Sequence, residues 1–338
     1  MRIGVLTGGG DAPGLNSAIR GIVFRAHKKG HEVIGILRGW RGLIEQQARP
    51  LSLDEVEEIH REGGTVILTS RTNPLKSEET AAKALEGFKA LGLDGLIAIG
   101  GEDTLGACAK LAHKGLRAIG IPKTIDHDVP GTEFTIGFDT AIEIVTEALD
   151  RLVTTAKSHE RVIVVEIMGR HAGWMALFGG LAGGAHFIVI PEQKVDVDEI
   201  IASIRRRFEA GKRYALVAVA EGATFFAPKA SDEVIDEFGH VKVGGVAEYI
   251  ANAIKKAGFE ARHVVLGHLQ RGGSPSVRDR LIPMLLGVKA VELVEKGEFG
   301  KMVTIRGEQI ITVPLDVVTE GIRAVPPELY EIAKAFFA

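Results

Sequence analysis

The chain has 338 residues, enough for one large domain or two of ordinary size, and a net charge of −3. This near balance of 41 basic and 44 acidic residues argues against a strongly basic nucleic-acid-binding protein. The single cysteine excludes an internal disulfide, and glycines interrupt the apolar stretch at 173–190. We therefore expect a cytoplasmic α/β enzyme that does not span a membrane.

The first half of the chain alternates short apolar runs with helical patterns. The predicted strands are 3–7, 31–37, 95–99 and 117–121, and the predicted helices are 17–28, 81–91 and 104–113. Repeated β-turn-α units build a parallel sheet, and ligands of such sheets bind beyond the carboxyl ends of the strands.

The same alternation returns in the second half, after a long predicted helix at 140–155. Strands are predicted at 162–167, 187–190 and 215–220, helices near 174–181 and at 197–209, a surface excursion at 225–244 and a hairpin at 303–313. The fold expected is α/β, with two Rossmann-like three-layer α/β/α lobes and mostly parallel sheets.

The loop at 7–16, TGGGDAPGLN, joins a strand to the start of a helix. Glycines there let backbone N–H groups point at a phosphate beside the helix N-terminus. A tight turn that serves packing alone is an open alternative. A G-x-G-x-x-G dinucleotide site fits less well because Pro13 interrupts the spacing.

Pairs of carboxylates follow two further strands, adjacent in the first and two residues apart in the second. Glu102 and Asp103 stand in IGGEDT, where they suit Mg²⁺ or the acidic first turn of a helix. Asp126 and Asp128 stand in PKTIDHD beside a lysine and a threonine. One of them can take a proton from a hydroxyl while the other holds a metal, although a polar turn would also explain the pattern.

The second half supplies cations and polar anchors. Met168-Gly169-Arg170 and Glu221 follow strands, and GHLQRGGSP places His268 and Arg271 three residues apart. Arg161 and Arg262 each precede a strand. Taken singly, each arginine is typical of a solvated surface. Taken together, guanidinium groups for phosphate and Glu or His for hydroxyls are what a sugar-phosphate site needs.

With TGGGDAPGLN, PKTIDHD, VVEIMGR and GHLQRGGSP in this order, the chain resembles the bacterial-type phosphofructokinases over nearly its whole length. The resemblance implies the phosphofructokinase fold and Mg²⁺-dependent transfer of a phosphoryl group to the 1-hydroxyl of fructose 6-phosphate. It implies Asp126 as general base, Thr124 beside the transferred phosphoryl, and Glu102 and Asp128 as residues that serve the Mg²⁺.

The resemblance also assigns the remaining contacts. The sugar phosphate would be bound by Met168, Gly169, Arg170, Glu221, His268 and Arg271, and the phosphoryl donor by Gly10, Arg71 and Lys123. Lys123 is also expected to act in catalysis, together with Asp126 and Thr124. Arg161 and Arg262 match a pair that reaches in from a neighbouring subunit, so a homo-oligomer with shared sites, a dimer or a tetramer, is implied. The donor lobe would comprise 1–137 with about 251–302, and the sugar lobe 138–250 with about 303–338.

Two positions bear on the identity of the donor. ATP-dependent members generally carry glycine where this chain has Asp103 and Lys123, and pyrophosphate-dependent members resemble this chain at both. An aspartate at 103 would repel a nucleotide α-phosphate, and Lys123 adds a cation beside a small diphosphate. The prediction is a reversible pyrophosphate-dependent enzyme of glycolysis and gluconeogenesis, with an ATP-dependent enzyme as the alternative.

Allosteric bacterial members carry charged residues at the effector site where this chain has Phe24, Val153 and His186, which implies an enzyme without the usual effector response.

Other classes of protein fit the sequence less well. NAD and lipid kinases share a loop related to GGEDT and lack the later motifs. A non-catalytic sensor would not need the base and the metal carboxylates, and an oxidoreductase would need the dinucleotide spacing that Pro13 interrupts.

Overall fold

A computed structural model of the chain describes residues 1–224 and 245–337. Its strands are β1 (Arg2–Thr7), β2 (Glu32–Ile36), β3 (Ala48–Pro50), β4 (Gly95–Gly100), β5 (Ala118–Pro122), β6 (Val162–Ile167), β7 (Phe187–Val189), β8 (Ala215–Ala220), β9 (Ala261–Val265), β10 (Lys301–Arg306) and β11 (Gln309–Pro314).

The α-helices of the described residues are α1 (Leu15–Lys28), α2 (Trp40–Ile44), α3 (Leu53–Val56), α4 (Glu78–Ala90), α5 (Glu102–His113), α6 (Phe138–Ser158), α7 (Trp174–Ala182), α8 (Val197–Glu209), α9 (Val246–Lys256), α10 (Val277–Lys296) and α11 (Pro327–Ala333). Short 3-10 helices lie at Ile59–Arg61, Gly267–Arg271, Leu315–Thr319 and Lys334–Phe336. None of the helices described is both long enough and apolar enough for a membrane span.

The chain divides into two compact units. Unit 1 comprises Met1–Ile125, Val129–Thr140 and Arg271–Ile322, and unit 2 comprises Asp126–Asp128, Ala141–Gln270 and Arg323–Ala338. The short segment 126–128 thus belongs to unit 2, although the residues on both sides of it belong to unit 1.

Unit 1 contains a seven-stranded sheet in the order β11-β10-β5-β4-β1-β2-β3. The central pairs are parallel, with Thr7 opposite Ile99 and Gly100 opposite Pro122. Antiparallel pairs occur only at the two edges, where β3 joins β2 and β11 joins β10. Because β1, β4 and β5 are parallel neighbours, their carboxyl ends lie side by side on the same side of the sheet, where the strands end.

Apolar side chains cover both faces of this sheet, since the central strands are continuously hydrophobic. Ile97 and Ile99 of β4 pack in a cluster with residues of α1 and α10. Leu96 and Ala98 point to the opposite face, into a cluster with residues of α4 and α5. Helices on both faces confirm the predicted three-layer arrangement for unit 1.

Unit 2 contains a four-stranded parallel sheet in the order β7-β8-β6-β9. Val164 and Val217 face a cluster that includes Ile200 of α8 and Ile250 of α9. On the opposite face, a Cβ added at Gly180 of α7 would lie 3.1 Å from the Cβ of Ala218, so the absence of a side chain lets α7 approach β8.

Most predicted elements are confirmed within a few residues, and the ranges for β6, α8 and β8 agree at both ends. The predicted hairpin is confirmed as β10 and β11. It belongs to unit 1, because β10 pairs with β5, whereas the expected sugar lobe included 303–338. The pattern analysis missed α9 and α10, and the predicted excursion at 225–244 lies outside the described residues.

A buried carboxylate joins the starts of α6 and α10 within unit 1. Asp279, with no exposed surface, accepts hydrogen bonds from the backbone N–H groups of Gly137 and Thr140, both at 2.8 Å. It also accepts the hydroxyl of Thr140 at 2.6 Å. Its own N–H donates to the side chain of Ser276, which begins α10. The glycine-rich loop at 7–16 also approaches Asp279, because a Cβ added at Gly14 would lie 2.7 Å from the carbonyl oxygen of Asp279.

We expect Asp279→Ala to lower the free energy of unfolding by about 1–3 kcal/mol, because it leaves buried donors of Gly137 and Thr140 without an acceptor. Urea denaturation at pH 7.5 measures the loss. Asp316→Ala, which removes an exposed carboxylate that pairs with His113, is the control and should change stability by less than about 0.5 kcal/mol. Equal effects of the two variants would contradict the assigned network.

Candidate active site

Three loops of unit 1 meet where β1, β4 and β5 end. The loop that begins with Gly8 is tied to β4, because the Gly8 N–H donates to the carbonyl oxygen of Ile99 at 3.0 Å. The Lys123 N–H donates to the carbonyl oxygen of Gly100 at 2.9 Å. The structure thus brings the predicted glycine loop and Lys123, the residue after β5, to neighbouring positions at the carboxyl ends of these strands.

Thr104 explains why two of these loops need glycine. Its buried side chain lies so close that a Cβ added at Gly8 would be 2.5 Å from its hydroxyl oxygen. A Cβ added at Gly100 would be 2.4 Å from its Cβ. Real Cβ atoms do not approach so closely, so the two glycines allow the strand ends and the first turn of α5 to pack together.

Cationic side chains contact the glycine loop. The Lys123 side-chain amine donates to the carbonyl oxygen of Gly10, and only 4% of the residue is exposed. The Arg271 guanidinium lies against Gly10 as well, since a Cβ added there would be 2.5 Å from Nη1. Arg271 also pairs with Asp11, with Nη2 and Oδ1 3.5 Å apart. Gly10, Lys123 and Arg271 therefore form one cationic cluster.

The acidic residues of unit 1 begin a helix. Gly101 is the N-cap of α5, and Glu102 and Asp103 occupy its first turn, where the helix dipole favours negative charge. Both carboxylates are half-buried. Arg71 is exposed and follows Ser70, whose carbonyl oxygen accepts from the N–H of Gly9 at 3.0 Å. The predicted donor residues thus all lie on or beside the glycine loop and the neighbouring strand ends.

In unit 2, Asp126 and Arg170 act electrostatically on Glu221. The pKa of the Glu221 carboxyl is raised to about 7, mainly by burial and next by the negative charge of Asp126, while the positive charge of Arg170 opposes the shift. The backbone supports this arrangement, because the Glu221 N–H donates to the carbonyl oxygen of Ile167 at 2.8 Å. A Cβ added at Gly222 would lie 1.8 Å from the carbonyl oxygen of Arg170.

Gln270, which motif reasoning did not single out, orders the loop after β9. Its side chain has no exposed surface, accepts from the N–H of Met168 at 3.3 Å and donates to the carbonyl oxygen of Gly267 at 2.9 Å. Gly169, with a φ of 134°, lets the chain turn after Met168. His268 is exposed in the same loop. The position of Gln270 between two glycine-containing turns was the only signal that the sequence offered.

Arg161 and Arg262 lie at the amino ends of strands in the unit 2 sheet. Arg161 directly precedes β6, and Arg262 is the second residue of β9, whereas Met168, Glu221 and His268 follow the ends of their strands. Both guanidinium groups contact the same oxygen of Glu260, each at 3.2 Å. Within unit 2, therefore, the structure does not bring these two arginines together with Met168, Glu221 and His268.

The carboxylates of the candidate site match the ligands that a magnesium ion needs only in part. Within 1–224 and 245–337, no group of three or more Asp, Glu, His or Cys side chains could hold a metal ion. Mg²⁺ in phosphoryl-transfer sites is commonly held by one or two carboxylates, substrate phosphates and water. Glu102 in unit 1 and Asp128 in unit 2 are half-buried carboxylates, and each is a hard oxygen ligand of that kind.

Comparison with known proteins gives family and fold. The phosphofructokinase family pattern matches residues 2–294. A relative from Dictyoglomus thermophilum, named pyrophosphate–fructose 6-phosphate 1-phosphotransferase, is 53% identical and aligns with 100% of this chain and 99% of its own. A relative from Streptomyces coelicolor, named ATP-dependent 6-phosphofructokinase 3, is 48% identical over 99% of both chains. Full-length relatives thus include both donor types.

A solved structure agrees with the architecture. The pyrophosphate-dependent phosphofructokinase of Marinobacter aquaeolei superposes with a TM-score of 0.84 at 24% sequence identity, over 97% of this chain and 86% of that one. At this identity the likeness establishes the fold alone.

The raised pKa of Glu221 makes stability depend on pH. Between about 4.5, the ordinary value, and about 7, the folded protein holds a proton that the unfolded chain has lost, so this group stabilises less as pH rises. We expect the free energy of unfolding to fall from pH 5 to pH 8 by roughly 1–3 kcal/mol more in the wild type than in Glu221→Gln. Urea denaturation at both pH values measures the difference. Glu248→Gln, on the exposed face of α9, should match the wild type. An unchanged pH dependence in Glu221→Gln would show the assignment to be wrong.

Proposed function

The chain belongs to the phosphofructokinase family, and from that premise we propose that it transfers a phosphoryl group from pyrophosphate to the 1-hydroxyl of fructose 6-phosphate. The products are fructose 1,6-bisphosphate and phosphate. The reaction is reversible, because pyrophosphate and the new phosphoester have similar phosphoryl-transfer potentials. It depends on Mg²⁺. We propose that it takes place in the cytoplasm.

The observation that most supports pyrophosphate as the phosphoryl donor is the contact between Lys123 and Gly10. The ammonium group is buried and is held by a carbonyl oxygen of the glycine loop, so its charge stays in place before the donor binds. A fixed cation in a partly desolvated loop stabilises a compact, highly charged anion more than a mobile surface lysine can. Pyrophosphate lacks the nucleoside contacts that ATP would make, and the charge of Lys123 compensates for part of that loss.

Asp103 supports the same choice by repulsion. It occupies the first turn of α5, beside the loop that would cradle the donor phosphates. A third phosphate and its nucleoside would extend past the diphosphate and meet this carboxylate, and juxtaposed like charges cost several kcal/mol. The similarity to an ATP-dependent relative favours ATP as the second candidate donor.

Asp126, in unit 2, activates the acceptor. Asp126 accepts the proton of the 1-hydroxyl as the oxygen attacks the donor phosphorus, and Thr124 donates a hydrogen bond to the transferred group. Arg170 and Arg271 bind phosphate oxygens, and the Met168–Gly169 backbone, Glu221 and His268 orient the sugar phosphate. With a pKa near neutrality, Glu221 exchanges between a form that donates and a form that only accepts hydrogen bonds.

Glu102 and Asp128 would hold the magnesium ion, which, when bound, neutralises charge on the phosphates during transfer. The remaining catalysis comes from the positioning of donor and acceptor by this chain's own residues.

Donor selection is tested by the formation of fructose 1,6-bisphosphate with pyrophosphate or ATP. We expect the wild type to use pyrophosphate at least about 100-fold better in kcat/KM, because an unfavourable contact of a few kcal/mol corresponds to that ratio. Lys123→Gly should lower turnover with pyrophosphate by about 100-fold. Asp103→Gly should raise the relative use of ATP about 100-fold, because it removes the repulsive contact to which the preference is attributed.

Lys110→Ala is the control for charge, because this exposed lysine lies at the far end of α5 from Asp103. It should leave the donor ratio unchanged. Equal use of both donors by the wild type, or an unchanged donor ratio in Asp103→Gly, would contradict the proposal.

We also propose that the enzyme is a homo-oligomer, a dimer or a tetramer, in which Arg161 and Arg262 complete the site of a neighbouring subunit. Their place at the start of the strands, paired with Glu260, supports this assignment, because one chain leaves them at the sheet edge opposite to Met168 and Glu221.

Hybrid oligomers test the sharing of sites. Asp126→Asn and Arg262→Ala should each be nearly inactive alone, because one lacks the base and the other lacks a phosphate ligand. Refolding an equimolar mixture of the two should restore activity, since some sites then combine an intact Asp126 with an intact Arg262 from the neighbour. An activity equal to the mean of the two parents would contradict shared sites. Refolded wild type is the control for recovery.

A further inference from the structure

The segment 126–128 is held by a residue far along the chain. The backbone N–H of Arg323 donates to the carbonyl oxygen of Asp128 at 2.7 Å, and its Nη1 donates to the carbonyl oxygen of His127 at 3.3 Å. One residue near the C-terminus therefore holds two consecutive carbonyl groups of the segment that contains both carboxylates assigned to catalysis. All of these residues belong to unit 2.

Trp174 fixes Arg323 in turn. The Arg323 guanidinium lies 4.2 Å from the centroid of the Trp174 ring, and the indole N–H donates to the carbonyl oxygen of Arg323 at 2.7 Å. The His127 ring packs edge-on against the same indole, with the centroids 5.4 Å apart. Trp174 is 3% exposed, so these contacts are shielded from water. His127, Trp174 and Arg323 thus form a closed set of contacts, which we call the Arg323 clamp.

Glu192 anchors both sides of the Arg323 clamp. Its carboxylate accepts from the N–H of Gly173, at the start of α7, at 3.0 Å, and from the N–H of Val325 at 2.9 Å. The helix that carries Trp174 and the segment that carries Arg323 are therefore fastened to one carboxylate, which limits their motion relative to each other.

The clamped segment contains a backbone conformation that needs support. His127 has a φ of 58°, in the left-handed region that residues other than glycine enter at a cost. Such a conformation persists when its surroundings determine it. The carboxylates of Asp126 and Asp128 flank this residue, so their directions depend on its being held.

We propose that Arg323, together with Trp174, is a positioning residue for phosphoryl transfer, which keeps the backbone of 126–128 in the conformation that aims Asp126 and Asp128. This role rests on the proposed function for the two carboxylates. It acts on the chemical step more than on sugar-phosphate binding, because the backbone contacts are made to the segment of the base.

Two variants of Arg323 separate the contributions of the clamp. Arg323→Ala removes the guanidinium, and we expect kcat to fall about 10- to 100-fold, the size of effect that a misplacement of about 1 Å produces. The KM for fructose 6-phosphate should change less than about threefold, because Arg170 and Glu221 remain. Arg323→Lys keeps the positive charge and loses the planar guanidinium group, so its kcat should lie between those of the wild type and Arg323→Ala. Trp174→Phe tests the same clamp without altering Arg323.

Hydrogen exchange of the backbone amides near 126–128 gives a readout independent of activity. In Arg323→Ala these amides should exchange at least about tenfold faster, because the guanidinium contact with the His127 carbonyl oxygen is lost and the backbone N–H of residue 323 is no longer held by the stack on Trp174. Amides of β6 and β8 should keep their wild-type rates. The Arg323→Lys and Trp174→Phe variants should show smaller increases at the same positions.

Arg207→Ala is the matched control. The Arg207 guanidinium also stacks on an aromatic ring, 4.7 Å from the centroid of Tyr214, and donates to the Tyr214 carbonyl oxygen. Tyr214 precedes β8, whereas Glu221 follows it, so this second stack lies at the opposite end of the strand. Its loss should lower thermal stability and leave kcat and the exchange near 126–128 unchanged.

The proposal is overturned if Arg323→Ala keeps the wild-type kcat and exchange rates, or if it lowers kcat no more than Arg207→Ala does at equal loss of stability. These results are separate from failure of the proposed function. If the wild type turned over with neither pyrophosphate nor ATP, the exchange of 126–128 in the Arg323 variants would still confirm or refute the clamp.

Discussion

The parallel pairing of β1, β4 and β5 is the constraint on which the donor side depends. It places the residues after Thr7, Gly100 and Pro122 at one edge of the sheet, where Gly8 and Gly100 both pack on Thr104. A shift of one residue in this register would move the loops apart and turn the strand side chains to the wrong faces. The chemistry proposed for unit 1 follows from this register together with the glycine turns.

Charge is distributed differently in the two units. In unit 1, the cations Lys123 and Arg271 lie on a glycine loop that is suited to an anion. In unit 2, Asp126 and Arg170 influence Glu221 in opposite directions, and burial holds the Glu221 pKa near 7. In the proposed function, Lys123 of the first arrangement would select a charged donor, whereas the second arrangement would provide a base and hydrogen-bonding groups for a sugar. The proposed reaction requires both.

The sequence predicted the strand ends well, because continuous apolar runs followed by glycine identify buried parallel strands and their loops. It did not predict α10, since Val277, Leu281 and Leu285 are exposed apolar residues that obscure the helical period. Nor did it predict Gln270 or Arg323. Their roles come from contacts with residues more than 100 positions away, Met168 and Asp128, and no local pattern encodes such a contact. The donor motifs were readable because their residues are contiguous.

The reverse reaction tests the central claim, that Lys123 and Asp103 select a diphosphate, most directly. Purified protein is incubated with fructose 1,6-bisphosphate, Mg²⁺ and either orthophosphate or ADP, and the release of fructose 6-phosphate is followed. The account predicts release with orthophosphate and almost none with ADP, because the site that holds pyrophosphate in the forward direction must also hold its product. Release with ADP and none with orthophosphate would contradict the account of donor selection and leave the fold and the acceptor chemistry standing.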